Sequence, residues 1–407
     1  MISTPTWFCR PAARHWRASV PPTGAPLFHA ELPGYRPTAL TELPALADEL
    51  GVGRVLVKDE STRMGLGAFK VLGASWAIAR LLSENDSVSE NGGVSEGGRV
   101  SEGGWVSGNG RVTLGDVRRA AAANPVELVT ATDGNHGRAV AWMARLLGLE
   151  ARVFVPRVVS ERARAAIAAE GATVTVGGDS YDEAVEQAAA YAGDHQRVTD
   201  SAGGRRVTGN AGGHEGQGRL LVQDTAWAGY ESVPGWIVEG YGTLLAELDG
   251  QFAERDLAGP DLVSVPVGVG SLAQAVVTHY RRGGLAPAVL AVEPETAAGV
   301  LASLHDEARR SVSTGETVMA GLNCGTPSSL AWPVLAGGLD AAIAVSDQLA
   351  TQAGADLAGL GVRSGPSGAA SLAGVRAALT GPGAEARRAG LGVTGSSVVL
   401  LLSTEGT

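Results

Sequence analysis

The sequence predicts an α/β fold made of parallel βαβ units, and three observations point to it. Short apolar runs alternate along the chain with longer stretches at helical spacing. The short runs are continuously apolar, the pattern of strands covered on both sheet faces. Several of them end in junctions rich in glycine and small polar residues, and in such folds ligands bind outside the carboxyl ends of the strands.

The elements follow in order. RVLVKDE (Arg54 to Glu60) reads as a buried strand, and FKVLGASWAIARLL after it as a helix. VELVTAT is a strand and NHGRAVAWMARLLGL a helix. ARVFVP is a strand, followed by SERARAAIAAEG, a helix with Ser160 as its N-cap. ATVTVGG and YDEAVEQAAAYA form the next strand and helix, and DLVSVPVG and SLAQAVVTHYRR another pair. AVLAVEP and SSVVLLLS are further strands.

Two stretches fall outside this pattern. From Val88 the chain reads VSENGG, VSEGGR, VSEGGW and VSGNGR, one hexad four times over. With few side chains to bury and high chain entropy, it reads as an inserted surface loop. A hexapeptide β-helix would not close a core on so few apolar positions. GGRRVTGNAGGHEGQGR (Gly203 to Arg219) reads the same way.

Composition narrows the function classes. Hydrophobic residues make up 44% and charged residues 18%, a globular profile whose length suggests two or three domains. The net charge of −10 and the lack of a Lys/Arg run argue against nucleic-acid binding. No stretch approaches ~18 consecutive apolar residues, so no membrane partner is expected. The N-terminus scatters Arg and His where a secretory signal needs an apolar run. Cys9 and Cys324 are too few for a disulfide framework or a thiolate metal site. A reduced, cytoplasmic, metal-free protein is expected.

Three junctions hold the candidate chemistry. In PVGVGSL, Gly268 and Gly270 permit close backbone approach, and the helix start at Ser271 favours an anion such as phosphate. The loop is neither a dinucleotide fingerprint, since Ala273 takes the third glycine position, nor a Walker loop. A tight turn without ligand is the plain alternative. In DGNHG, Asn135 either caps a helix or meets a ligand's polar edge, and Asp133 is a candidate general base. In GLGAFKVLGA, Lys70 sits between Phe69 and Val71. An exposed helical lysine is the ordinary case, but apolar flanks favour partial burial and hence a nucleophilic amine. One such lysine, a phosphate cradle and an asparagine loop together suggest pyridoxal phosphate.

KDESTRMGLGAFKVLGAS, TATDGNHGRAVAW, QDTAWAGYESVPGWIVEGY, VGVGSLAQAV, MAGLNCGTPSSLAWPVL and LLLSTEGT resemble, in order and over most of the chain, the diaminopropionate ammonia-lyases. That family belongs to the tryptophan-synthase-β-like (fold type II) pyridoxal-phosphate superfamily. FK and GNHG are shared with the serine and threonine dehydratases; KDES, QDTAWAGY and GLNCGTPS are narrower. The resemblance implies two parallel-sheet αβα domains with the cofactor in the cleft between them. Residues 1–74 and 223–407 would form the large domain. Residues 75–222 would form the small one, with glycine-rich insertions near 86–113 and 203–219.

The resemblance also implies roles. Lys70 matches the lysine that holds the cofactor, and Phe69 beside it lines the ring. Asn135 matches the asparagine on the cofactor's phenolic oxygen, and Gly268, Val269, Gly270 and Ser271 match the phosphate loop. Asp133 and Asp224 match two aspartates that serve as bases for opposite stereoisomers. Ser403 or Thr404 would be the neutral partner of the pyridine nitrogen. SGPSGA (Ser364 to Ala369) resembles a substrate-contacting stretch. The implied reaction is α,β-elimination of ammonia from 2,3-diaminopropionate, giving pyruvate and two ammonia, by a homodimer. A serine/threonine dehydratase is the nearest alternative; a nicotinamide oxidoreductase and a non-catalytic ligand-binding homologue are more distant ones. Gly67 is a departure, since a polar residue often precedes AFK in the family pattern, and so is the ending STEGT, where the pattern continues with an acidic residue.

Overall fold

The computed structural model of the protein describes residues 6–18, 24–90, 111–193, 218–282 and 286–407. Its strands are β1 (Trp7–Cys9), β2 (Ala39–Glu42), β3 (Arg54–Asp59), β4 (Val126–Ala131), β5 (Glu150–Val155), β6 (Thr173–Val176), β7 (Gly218–Leu221), β8 (Leu262–Pro266), β9 (Ala288–Pro294), β10 (Ala341–Val345) and β11 (Val398–Ser403). The chain divides into two units. The larger comprises Met1–Pro26, Pro33–Gly73 and Thr225–Thr407, the smaller Leu27–Leu32 and Ala74–Asp224. This division puts residues 223 and 224 with the smaller unit.

The larger unit holds a seven-stranded sheet in the order β1-β10-β9-β8-β11-β3-β2. The five inner strands run parallel, while β1 and β2 pair antiparallel at the edges. Every residue of β8, β9 and β10 is buried, as expected of parallel strands covered on both sheet faces. Val55, Val57, Leu290, Val292, Ile343 and Leu401 belong to one buried cluster on this sheet. Each such side chain contributes about 1.5–3 kcal/mol on burial. The helix Pro366–Leu379 lies close on the sheet through Gly374, where a Cβ would come within 2.3 Å of Val292.

The smaller unit holds four parallel strands in the order β6-β5-β4-β7. The helices Asn135–Leu147, Glu161–Ala169 and Tyr181–Gly193 follow β4, β5 and β6. Ser160 caps its helix by accepting from the Ala163 amide, as its position after β5 suggested. Among the described residues, no helix is long and apolar enough to cross a membrane.

The elements read from sequence stand where expected, with three differences. The helix opening at Lys70 continues to Glu90, so Val88 to Glu90, assigned above to the inserted loop, are helical. Gly218 and Arg219, assigned to the second loop, open β7. The rest of both stretches lies outside the described residues. β1, β2 and β10 went unread. The edge strands are short, and β10 is AAIAV, in which alanine weakens the strand signal.

Candidate active site

In the larger unit, Lys70 is the first residue of the helix Lys70–Glu90 and is partly buried. The turn before it is strained into shape. Met64, Gly65 and Gly67 have φ of 49, 73 and 75°, the left-handed region that glycine occupies most easily. Gly67 is therefore a backbone requirement of this turn. The turn is stitched to the residues after β11: the Gly406 amide donates to Gly67 O at 2.9 Å and the Phe69 amide to Thr404 O at 3.2 Å. Phe69 packs on buried Tyr241 with ring centroids 4.7 Å apart, and Lys70 Nζ lies 5.5 Å from the Phe69 ring. Tyr241 comes from the helix Ser232–Ala253, which crosses the start of the Lys70 helix at two glycines. A Cβ on Gly240 would sit 2.4 Å from Leu72 O, and one on Gly73 2.6 Å from the Tyr241 ring.

The KDES block turns out to be structural. Lys58 Nζ donates to Glu247 at 2.7 Å, to Thr38 O at 3.0 Å and to Gln251 at 3.0 Å. Arg63 donates to both oxygens of Glu247, at 2.6 and 2.8 Å, and to both of Glu60, at 2.7 and 2.8 Å. Two cations and two anions are thus paired out of water. Burial alone would disfavour the Arg63 and Glu247 charges. Glu60 and Glu247 nonetheless hold Arg63 above its usual range, and the Arg63 and Lys58 partners hold Glu247 below the usual carboxylate range. For Lys58, burial wins and pulls it down. This has a direct bearing on the cofactor. The chain contains only two lysines, Lys58 and Lys70. With Lys58 committed to the cluster, Lys70 is the amine left to hold a carbonyl cofactor. That scarcity was visible in the sequence and is a stronger pointer to Lys70 than its apolar flanks.

The glycine loop runs from β8 into the helix Ser271–Arg282. Each glycine in it has its own reason. Gly270 has φ of 100°, and a Cβ on Gly268 would meet Gly321 O at 3.1 Å and Cys324 Sγ at 3.2 Å. The GLNCG segment is therefore pressed against this loop. Val269 O accepts from the Ser328 amide at 2.8 Å, and the Ser328 hydroxyl accepts from the Ala226 amide at 3.2 Å. The VGVGS, CGTPSS and TAW segments form one hydrogen-bonded assembly. The loop carries no carboxylate, and the helix that opens at Ser271 brings to it the amides of its first turn and the positive end of its dipole. This donor set fits a phosphate group.

Ser403 ends β11, and both Ser403 and Thr404 are buried. Ser403 Oγ donates to Ser364 Oγ at 2.8 Å. The residues SGPSGA begin beside them. The Ser367 amide donates to Glu405 at 3.2 Å, and its hydroxyl accepts from the Gly321 amide at 3.2 Å.

The other candidates lie in the smaller unit, where β4 and β7 are adjacent and parallel. Asp133 and Asp224 leave the carboxyl ends of these two strands, the edge of a parallel sheet at which ligands are held. Asn135 is the first residue of its helix; the cap position belongs to Gly134, with φ of 150°, so the capping role open to Asn135 is not used. Gly137 lets the helix approach the sheet, since a Cβ there would meet Thr132 at 2.4 Å and Val153 at 2.6 Å. Asp224 is buried, unlike an ordinary strand-end carboxylate. Its Oδ1 accepts from the Tyr181 hydroxyl at 2.8 Å, and Gln223 Nε2 lies 2.7 Å from that hydroxyl. His136, also buried, approaches Asp224 Oδ2 with Nδ1 at 4.0 Å and Val222 O with Nε2 at 2.8 Å. Tyr181 and Gln223 were not singled out from the sequence. Gln223 precedes Asp224 in the QDTAWAGY block, whereas Tyr181 had no signal beyond opening a helix.

The sequence matches a family model described as pyridoxal-phosphate dependent enzyme over residues 31–395. It is 33% identical over 330 residues to the diaminopropionate ammonia-lyase of Salmonella typhimurium strain LT2, covering 80% of this chain and 72% of that protein. It is 32% identical over 397 residues to the diaminopropionate ammonia-lyase of Escherichia coli strain K12, covering 93% and 86%. A crystal structure of the E. coli enzyme in complex with an aminoacrylate-PLP azomethine reaction intermediate superposes with a TM-score of 0.74 at 32% identity, covering 94% of this chain and 88% of that one.

Proposed function

The chain belongs to the pyridoxal-phosphate-dependent enzyme family, and from that premise we propose that it eliminates ammonia from 2,3-diaminopropionate, giving pyruvate and two ammonia. The observation that carries this is Lys70, the one lysine outside the buried charge cluster, on a turn tied to the strand that bears Ser403. The substrate follows from the two diaminopropionate ammonia-lyases that the chain resembles over most of its length.

When bound, pyridoxal phosphate supplies an electron sink that makes the Cα proton of an amino acid removable. Lys70 would hold it through the ε-amine, with Phe69 against the ring. The amides at Gly268, Val269, Gly270 and Ser271 would take the phosphate, the Asn135 amide the phenolic oxygen, and Ser403 or Thr404 the ring nitrogen. Asp133 and Asp224 would take the Cα proton from opposite stereoisomers. The β-amine needs a proton to leave as ammonia, and Lys70 or a protonated aspartate supplies it. The resemblance further suggests a homodimer working in the cytoplasm on this small amino acid.

The deciding experiment measures pyruvate, 2-oxobutyrate and ammonia from both enantiomers of diaminopropionate, from serine and from threonine. Faster turnover of serine or threonine would replace this reading by a dehydratase. Borohydride reduction of the holoenzyme should leave the cofactor on the Lys70 peptide; an adduct on Lys58 would refute the assignment. Asp133→Asn and Asp224→Asn should each slow one enantiomer selectively.

A further inference from the structure

The hydrogen bonds around Asp224 run in one direction, and that direction assigns its two oxygens different tasks. The Ala131 amide can only donate, so the Gln223 atom that it meets at 2.9 Å is Oε1; the Thr130 hydroxyl donates to the same atom at 3.1 Å. The other end of the Gln223 side chain is then the NH2 group. It donates to Tyr181 Oη at 2.7 Å and to Asp224 Oδ1 at 3.3 Å. Since Tyr181 Oη accepts from Gln223, its own hydrogen goes to Asp224 Oδ1 at 2.8 Å. Two donors therefore meet Oδ1, and both would have to turn away before a proton could sit there rather than on Oδ2. On that side stands His136, whose Nε2 must carry hydrogen to meet the Val222 carbonyl at 2.8 Å and whose Nδ1 is 4.0 Å from Oδ2. The chain of donors begins on β4, the strand that leads to Asp133.

We propose that Tyr181 and Gln223 are positioning residues that reserve Oδ2 of Asp224 as the proton-accepting atom for one stereoisomer of the substrate. Gln223 is fully buried, so its amide cannot turn to water and the direction of the chain is locked. The inference rests on Asp224 being a base, as proposed above. Among the titratable groups facing Asp224 are His136, from the helix Asn135–Leu147, and Tyr181, from the helix Tyr181–Gly193.

The test uses the holoenzyme with each enantiomer of diaminopropionate. Asp224→Asn first identifies the enantiomer that Asp224 serves. Tyr181→Phe and Gln223→Met should then lower kcat for that enantiomer about 10–100-fold, part of the ~10²–10⁴ that a positioned base supplies. KM should stay within about threefold, and the other enantiomer within about twofold. In Tyr181→Phe the acid limb of kcat/KM for the affected enantiomer should move to higher pH, because the carboxylate has lost a donor. Equal losses on both enantiomers with an unmoved limb would mean a merely structural role and overturn the inference, as would no loss on either. If Asp224→Asn itself slows both enantiomers alike, the reading of Asp224 as a stereoisomer's base fails, and this inference with it.

Discussion

Replacing Glu247 by Gln removes one charge from the buried cluster beneath the Lys70 turn. Glu247 accepts from Lys58 at 2.7 Å, from Arg63 at 2.6 and 2.8 Å, from Tyr35 at 3.0 Å and from the Thr38 amide at 3.2 Å. Side-chain exposure of Lys58 and Arg63 is 0%, so solvent cannot take over the lost charge. The variant would leave Lys58 and Arg63 facing Glu60 alone, a net positive charge out of water. Breaking such a pair costs about 3–5 kcal/mol. Lys58 offers partial relief by giving up its proton. Burial already pulls it below its ordinary value of 10.5, and losing Glu247 removes the main influence that raises it. Below 10.5 the unfolded chain then binds more protons than the folded one over a wider range, so the variant gains stability as pH rises. Urea unfolding of wild type and variant, near pH 7 and near pH 9, should show the penalty at the lower pH and a smaller one at the higher. A penalty under about 1 kcal/mol near pH 7, or one that does not shrink near pH 9, would refute the reasoning.

Three further outcomes follow from the same geometry. Gly268→Ala places a methyl 3.1 Å from Gly321 O and 3.2 Å from Cys324 Sγ, and should weaken pyridoxal phosphate about tenfold, roughly 1.4 kcal/mol, in titrations of the apoprotein; unchanged affinity would count against the loop's role. Gly240→Ala, whose methyl would lie 2.4 Å from Leu72 O, should cost about 1–3 kcal/mol in the free energy of unfolding and lower turnover by displacing the first turn of the Lys70 helix. Burial pushes Glu293 up to about 8, against the hydrogen bonds from the Val300 and Leu301 amides, so in the folded chain it keeps a proton that the unfolded chain sheds near 4.5. Its contribution therefore favours folding at low pH and is lost as pH rises from about 4.5 to about 8. Thermal midpoints of Glu293→Gln across that range should lack this downward slope, and an unchanged slope would place its origin elsewhere.

Most of the sheet framework was legible because strands covered on both faces carry short apolar runs, such as Val55–Val57 in β3, Val153–Val155 in β5 and Val398–Leu402 in β11. Ser160 was legible as a cap because the chemistry is local. What escaped depends on distant partners. Glu247 looks like any polar residue of a helix, and only the fold brings it to Lys58 and Arg63. Tyr181 and Gln223 are separated by more than forty residues, and nothing in either neighbourhood reports their contact. Gly67, which broke the family pattern, is accounted for by its positive φ, a property of the turn that no spacing rule expresses.

The position of β11 also bears on how the protein is made. This strand is inserted between β8 and β3, pairing with both, although it lies more than 300 residues after β3 in the chain. During synthesis, β3 and β8 therefore emerge as unpaired parallel edges and stay so until residues 398–403 leave the ribosome. Such edges invite pairing with other chains. The smaller unit, whose strands all precede residue 222, can complete its sheet long before. The nascent polypeptide should thus carry a finished smaller unit and an open larger one, and the turn that presents Lys70 is tied down only when Thr404 and Gly406 arrive.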